Sequence, residues 1–162
     1  MIIEKEQFER TLKRMTHEII EKNDDLNNVI LFGIEKKGLP IATYISELIY
    51  KFENIKVDVL PIDISYHRDD HKRIQGNVNI NTIIDNKTII LVDDVLFTGR
   101  SVRSAMDALM DSGRPAKIML AVLVDRGHRE LPIRADVVGK NIPTSSKEHV
   151  VCDFENKIIY LK

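Results

Sequence analysis

At 162 residues the chain sits near the commonest size for one domain and can bury a sizeable core, so a single unit spanning residues 1–162 is expected. A composition of 43% hydrophobic and 30% charged residues excludes disordered, collagen-like and low-complexity classes, and a formal net charge of -1 gives no reason by itself to expect a nucleic-acid partner. The lone cysteine, Cys152, excludes a disulfide framework, and no apolar run approaches the ~20 residues of a membrane span, so a cytoplasmic protein with no membrane partner is expected.

From Phe8, apolar residues recur at Leu12, Met15 and Ile19, which puts them on one stripe of an N-terminal helix. Asn28 to Phe32 reads as a strand, Gly33 and Gly38 bracket a loop, and Ile41, Ile45, Leu48 and Ile49 mark a second helix. Two strand candidates follow, Val57 to Leu60 and Ile62 to Ser65. The polar stretch from about 66 to 81 is long for a loop and is expected to act as a lid, with Arg68, Lys72 and Arg73 as its basic members. Thr88 to Val92 is a continuous apolar run of the kind found in a central parallel strand, and it ends in Asp93 and Asp94. A helix with Val102, Ala105, Met106 and Leu109 on its apolar face follows, stopped by Gly113 and Pro115. Ile118 to Val124 is another buried-type strand, and the tail from about 135 to 162 is expected to form a small cap. Strands alternating with helices imply an α/β fold, an open and mostly parallel sheet flanked by helices, with ligands at the carboxyl ends of the strands.

Two adjacent carboxylates at the end of a hydrophobic strand repel each other unless a sugar diol or a hydrated cation lies beside them. The residues that follow, Thr98-Gly99-Arg100-Ser101, offer two hydroxyls, a guanidinium and the N–H groups of a helix start, a set suited to phosphate. Gly99 lets the backbone approach a ligand closely. The combination describes a site for a phosphorylated sugar; the competing reading is that Asp94 or Thr98 merely caps the helix. Gly33 and Gly38 have the spacing of a phosphate loop, but Leu39-Pro40 follows instead of Lys and Ser/Thr.

The segment Val92-Asp93-Asp94-Val95-Leu96-Phe97-Thr98-Gly99-Arg100-Ser101 resembles the 5-phosphoribosyl pyrophosphate (PRPP) signature of type I phosphoribosyltransferases. The likeness extends over nearly the whole chain. Gly33 to Gly38, Ile62-Asp63-Ile64, Arg68-Asp69-Asp70, Asp125-Arg126-Gly127-His128-Arg129-Glu130-Leu131-Pro132 and Gly139-Lys140-Asn141-Ile142-Pro143-Thr144-Ser145 together are similar to the PyrR family of pyrimidine operon attenuation regulators. That family also has uracil phosphoribosyltransferase activity.

The resemblance implies a type I phosphoribosyltransferase fold, catalytic roles for Asp93 and Asp94 at the ribose and its Mg²⁺ shell, and no metal bound directly by the protein alone. It implies that Val95, Leu96, Phe97, Thr98, Gly99, Arg100 and Ser101 complete the PRPP and nucleotide site. Lys36, Lys37 and Gly38 would meet pyrophosphate, Arg68 would close over it, and Val137 and Val138 would lie at the base. Lys37 stands where relatives commonly carry Arg, Phe97 where purine-specific members place an acidic residue, and Val137 where relatives stack an aromatic ring. Phe97 thus favours a pyrimidine.

Arg10, Lys13, Arg14 and His17 share a helix face opposite the apolar stripe, which on pattern alone is a solvated surface. The resemblance implies more: Lys13, Arg14, His17, His128, Arg129, Arg134 and Lys140 would bind pyrimidine operon leader mRNA, through salt-dependent phosphate contacts and unpaired loop bases. Expected small-molecule partners are PRPP, uracil, UMP and UTP, and the expected assembly is a homodimer or higher homo-oligomer. A metabolic phosphoribosyltransferase without RNA function is the competing expectation. His67 and His71 are four apart, but their setting disfavours a metal site.

Overall fold

The computed structural model describes residues 2–64 and 84–162. The expected lid, with Arg68, Lys72 and Arg73, and the pair His67 and His71 lie outside the described residues.

The first apolar stripe forms helix α1 (Lys5–Glu21), in which Phe8, Leu12, Met15 and Ile19 are buried. Strand β1 (Val29–Ile34) is buried on every residue and runs straight into helix α2 (Glu35–Glu53). No loop separates them. Gly33 and Gly38 serve close packing: a Cβ on Gly33 would overlap the Leu39 backbone, and one on Gly38 would overlap the Val92 carbonyl. Pro40 lies in the second turn of α2, so near the start that little intrahelical bonding is forgone.

A single strand, β2 (Asp58–Ile62), replaces the two candidates around Pro61. β2 is the sheet edge, where a residue without an N–H is tolerated. Strand β3 (Thr88–Leu96) is longer than the apolar run and carries Asp93 and Asp94 within it. Helix α3 (Arg100–Ser112) and strand β4 (Lys117–Asp125) follow where expected, but the buried apolar stripe of α3 is Val102, Ala105, Ala108 and Leu109, and Met106, expected on that face, falls at its rim and is exposed. Val137–Asn141 is strand β5 of the main sheet, so the cap begins after it and not near residue 135. Its strands β6 (Val150–Asp153) and β7 (Ile158–Leu161) pair antiparallel. Ile3 bridges to Ile159, and Lys157 Nζ meets Glu9 Oε1 at 2.6 Å, which ties the cap to α1.

The five main strands are all parallel in the order β2-β1-β3-β4-β5. Alternate side chains serve two cores. Leu31, Ile90, Val92, Ala121 and Leu123 pack with α1 and α2, whereas Ile30, Phe32, Ile89, Leu91 and Val122 pack with α3. Burial on both faces is why these strands read as unbroken apolar runs. The chain turns from β1 to β2 on one side and returns to β3 on the other, so the switch point falls between the carboxyl ends of β1 and β3. Among the described residues no helix is long and apolar enough to cross a membrane.

Candidate active site

A cleft of about 620 Å³ opens at that switch point. Glu35, Lys36 and Lys37 line it from the end of β1, Pro61, Ile62 and Asp63 from the end of β2, and Asp93, Asp94, Val95 and Ser101 from β3 and α3. A smaller hollow of about 120 Å³ adjoins it, formed by Asp93, by Val95 through Gly99, and by Ser101 and Val102. The structure therefore gathers Lys36, Lys37, Asp93, Asp94, Val95, Leu96, Phe97, Thr98, Gly99 and Ser101 in one region.

The two carboxylates are held by their own strand. Asp93 Oδ1 accepts the Asp94 N–H at 2.8 Å, and Asp94 Oδ1 accepts the Val95 N–H at 2.8 Å. Burial, and next the neighbouring charge of Asp94, push the Asp93 carboxyl well above the usual carboxylate range. A cation or a pair of hydroxyl donors entering the cleft would relieve both effects.

Gly99, at φ 92°, turns the chain from β3 into α3. The capping alternative finds little support. Asp94 spends its oxygen on Val95, and the Thr98 hydroxyl accepts only a long 3.3 Å bond from the Arg100 N–H. Helix α3 thus starts without a side-chain cap on its Gly99 boundary, a setting in which an anion can satisfy the first turn.

At the opposite lip Lys36 and Lys37 are exposed and Glu35 holds a left-handed φ of 51°, a conformation that costs about 1–3 kcal/mol in a non-glycine residue and concentrates at ligand sites. Gly38 is buried against the Val92–Asp93 backbone, which fixes the lysines beside the carboxylates. Arg100, in the first turn of α3, donates from its Nε to Glu130 Oε1 at 2.9 Å.

Phe97 borders the small hollow and is covered on one face by the Arg126 guanidinium, 3.9 Å from the ring centroid. The His128 ring meets it edge-on at 5.5 Å. Arg126 is only 5% exposed; its Nε donates to Thr144 Oγ1 at 2.9 Å and its Nη2 to the carbonyls of Ser145 and Glu148. Neither Arg126 nor Glu130 lines the cleft or the hollow; both brace the turn from outside through Phe97 and Arg100, and sequence reasoning singled out neither. The available signal was their position in the run that follows β4 directly.

Val137 is 1% exposed and belongs to the core shared with α1, so its side chain is structural; Val138, on the alternate face, is half-buried. The basic residues fall around β5. Arg14 of α1 donates to the carbonyls of Val138 and Gly139 and pairs with Glu18, while Lys13 and His17 are exposed, the latter stacked on Phe52 at 4.5 Å. Lys140 sits opposite Val124 in the sheet, next to where the segment bearing His128, Arg129 and Arg134 leaves β4. Arg129 and Arg134 are exposed. Among the described residues no group of three or more His, Cys, Asp or Glu side chains is arranged to hold a metal ion.

Cys152 lies under the site, lining a cavity of about 160 Å³ with Lys36, Lys37 and Asp94. Burial, with the charge of Asp94 as a lesser cause, raises its thiol far above the usual range. The thiol is therefore expected to stay unreactive toward a chromogenic disulfide at pH 8 in the native protein and to react at once in denaturant. Rapid native labelling would contradict this burial.

Comparison with known proteins agrees with the geometry. The phosphoribosyl transferase domain family matches residues 1–156. Three bifunctional PyrR proteins are similar to this chain. That of Clostridium novyi is 52% identical, covering 93% of this chain and 87% of its own. That of Clostridium kluyveri is 53% identical with the same coverage, and that of Oceanobacillus iheyensis is 51% identical over 93% of this chain and 87% of its own. In fold the chain resembles a hypoxanthine-guanine phosphoribosyltransferase of Leishmania tarentolae solved with GMP, at a TM-score of 0.77 and 18% identity over 99% of this chain and 95% of that one. A hypoxanthine phosphoribosyltransferase of Trypanosoma cruzi gives a TM-score of 0.74 at 18% identity, over 99% of this chain and 94% of that one. With a phosphoribosyl transferase domain over nearly its whole length and half of its residues identical to those relatives, the chain belongs to the PyrR family.

Proposed function

We propose that the chain is a bifunctional regulator: it transfers the phosphoribosyl group of PRPP to uracil, giving UMP and pyrophosphate, and it binds pyrimidine operon leader mRNA in response to uridine nucleotides. The observation that carries the first half is the single cleft joining Asp93 and Asp94 to an uncapped helix start on one side and Lys36 and Lys37 on the other. Asp93 and Asp94 accept the ribose hydroxyls, the turn from Thr98 to Ser101 receives the 5-phosphate, and the two lysines draw charge from the departing pyrophosphate. The C1–O bond to pyrophosphate breaks and a C1–N1 bond to uracil forms as N1 loses its proton. Positive charge grows at C1 along the way, so the chain's own contribution is to hold three groups in line and keep cations on the leaving group.

Mg²⁺ arriving with PRPP is the cofactor that this donor set fits, since a carboxylate made less acidic by burial and then by a neighbouring carboxylate gains from a divalent cation. Bound there, the ion would neutralise pyrophosphate oxygens and screen the two aspartates. The protein works in the cytoplasm as a homodimer or higher oligomer; exposed Met106 and Met110, one turn apart on α3, offer an apolar surface for such contact.

The second half rests on the basic residues around β5. Mobility shifts with a hairpin from the operon leader, with and without UMP, test it directly, and absence of nucleotide-dependent binding at moderate salt would leave only the metabolic enzyme. Removing Lys13 and Arg129 together is expected to lower RNA affinity for all hairpin sequences alike. The slope of log affinity against log salt should then fall by about 1 for each phosphate that the protein no longer neutralises. An unchanged slope would show that neither side chain meets a phosphate.

A further inference from the structure

The nucleotide turn and the segment that leaves β4 are joined by ties of different kinds. The Glu130 N–H donates to the Thr98 carbonyl at 2.9 Å, and the Arg126 N–H donates to the Leu96 carbonyl at 3.0 Å. Arg100 pairs with Glu130, Gly99 packs beside Ile133, and Phe97 is held between Arg126 and His128. Neighbouring loops always touch, and ordinary packing accounts for most of these contacts. Arg126 is different. It is a cation only 5% exposed, and among the described residues no carboxylate lies within ion-pair distance of it. Burying an uncompensated charge costs several kcal/mol unless hydrogen bonds offset it, and an apolar residue of that size would pack beside Phe97 at no such cost.

What the guanidinium provides is connection. Its three acceptors all belong to residues 144–148, and its flat face lies on Phe97. His128 is bound to the same place, for its Nε2 is within hydrogen-bond reach of the Thr144 carbonyl. A carbonyl only accepts, so Nε2 is the donor in this bond. Phe97, Arg126, His128 and Thr144 are thus linked by direct contacts that run from the hollow beside the phosphate turn to His128 of the basic set.

We propose that Arg126 is a positioning residue that couples occupancy of the nucleotide site to RNA affinity, by making Phe97, His128 and the 144–148 segment one rigid unit. The inference rests on the RNA-binding reading given above. Coupling is a free energy shared by two sites, so it is measured as a ratio and not as an affinity.

The test is fluorescence anisotropy of a labelled leader hairpin with and without saturating UMP, on wild type, Arg126→Lys and Thr144→Val. Lysine keeps the charge but gathers its donors on one nitrogen, so it cannot span from Thr144 Oγ1 to the Ser145 and Glu148 carbonyls and also lay a flat face on Phe97; valine keeps the shape of Thr144 while deleting the Oγ1 acceptor. In the wild type UMP is expected to change RNA affinity on the order of 10-fold, within the usual range of allosteric coupling. In both variants the ratio is expected to fall to about twofold or less, with UMP affinity in the absence of RNA within about threefold of wild type. A wild-type ratio in both variants overturns the proposal. So does an Arg126→Lys protein whose RNA affinity falls while the ratio stays intact, because that is the mark of a merely structural arginine. A wild type that binds no RNA under either condition overturns the functional reading itself, and the link with it.

Discussion

Replacing Asp93 and Asp94 together by asparagine is expected to abolish PRPP binding in calorimetry and to lower kcat/KM for uracil by about 10³-fold or more, while the ligand-free protein becomes more heat-stable. The loss follows from removing both carboxylates, and with them the groups that draw a divalent cation and the ribose hydroxyls into the cleft. The gain follows from the cost of keeping Asp93 charged. Its carboxyl sits 9% exposed beside Asp94, and burial followed by that charge raises its pKa well above the usual range. The folded state therefore holds this proton more tightly than the unfolded chain does. Its contribution to stability is fully present below the ordinary carboxylate pKa of about 3.9 and is lost as pH rises through the higher folded value. At neutral pH the wild type carries that loss, whereas Asp93→Asn does not titrate. Melting curves between pH 4 and pH 8 should show a Tm advantage for Asp93→Asn that widens with pH. Saturating Mg²⁺ with PRPP should close the gap for the wild type alone, since a ligand at 100 times its Kd stabilises by about 2.7 kcal/mol. An Asp93→Asn protein that melts below wild type at pH 8 would contradict the electrostatic account of this pair.

The contrast between what the chain advertises and what it conceals has physical causes. Ile89 to Val92 is legible as a central strand because helices cover both faces of the sheet and leave no polar side to interrupt the run. The continuation of β3 to Leu96 is not legible, because aspartate disfavours strands; here each carboxylate is satisfied by the next backbone N–H, which lets the strand carry the pair forward. Gly33 and Gly38 suggest a loop, yet both are required by close approach and α2 begins between them. Val137–Asn141 joins the main sheet although its Gly139 weakens a strand signal, since a Cβ there would overlap the Leu123 carbonyl and press on Met15 and Thr11. The motif from Asp93 to Ser101 exposed the phosphate turn, but nothing local indicates that Arg100 turns to Glu130 or that Arg126 is buried on Phe97. Those are long-range facts, set by where β4 ends relative to β3.

Gly38→Ala is expected to be among the most damaging single-methyl changes in the chain, costing about 3–5 kcal/mol of stability, at the upper end for point substitutions. Intrinsic preference points the other way, since alanine is about 1 kcal/mol better than glycine inside a helix. The surroundings decide the sign. The new Cβ would overlap the Val92 carbonyl oxygen, with Val92 C at 3.1 Å and Asp93 Cα at 3.3 Å. All three are backbone atoms of β3, which is paired to β1 on one side and to β4 on the other, so they cannot yield. The first turn of α2 must lift away, and Lys36 and Lys37 move with it relative to Asp93 and Asp94. A displacement near 1 Å of positioned groups can lower a rate about 10²-fold, so activity should fall well beyond what the remaining folded fraction explains. Gly127→Ala is the matched control. Its φ of 81° disfavours alanine, but among the described residues no atom lies within 4 Å of the built Cβ, so only backbone strain is added. That strain amounts to about 1–2 kcal/mol. Urea unfolding of the two variants, with kcat/KM normalised to folded protein, separates the cases. Equal destabilisation and equal activity in both would mean that the contact between α2 and β3 does not set the geometry of the cleft.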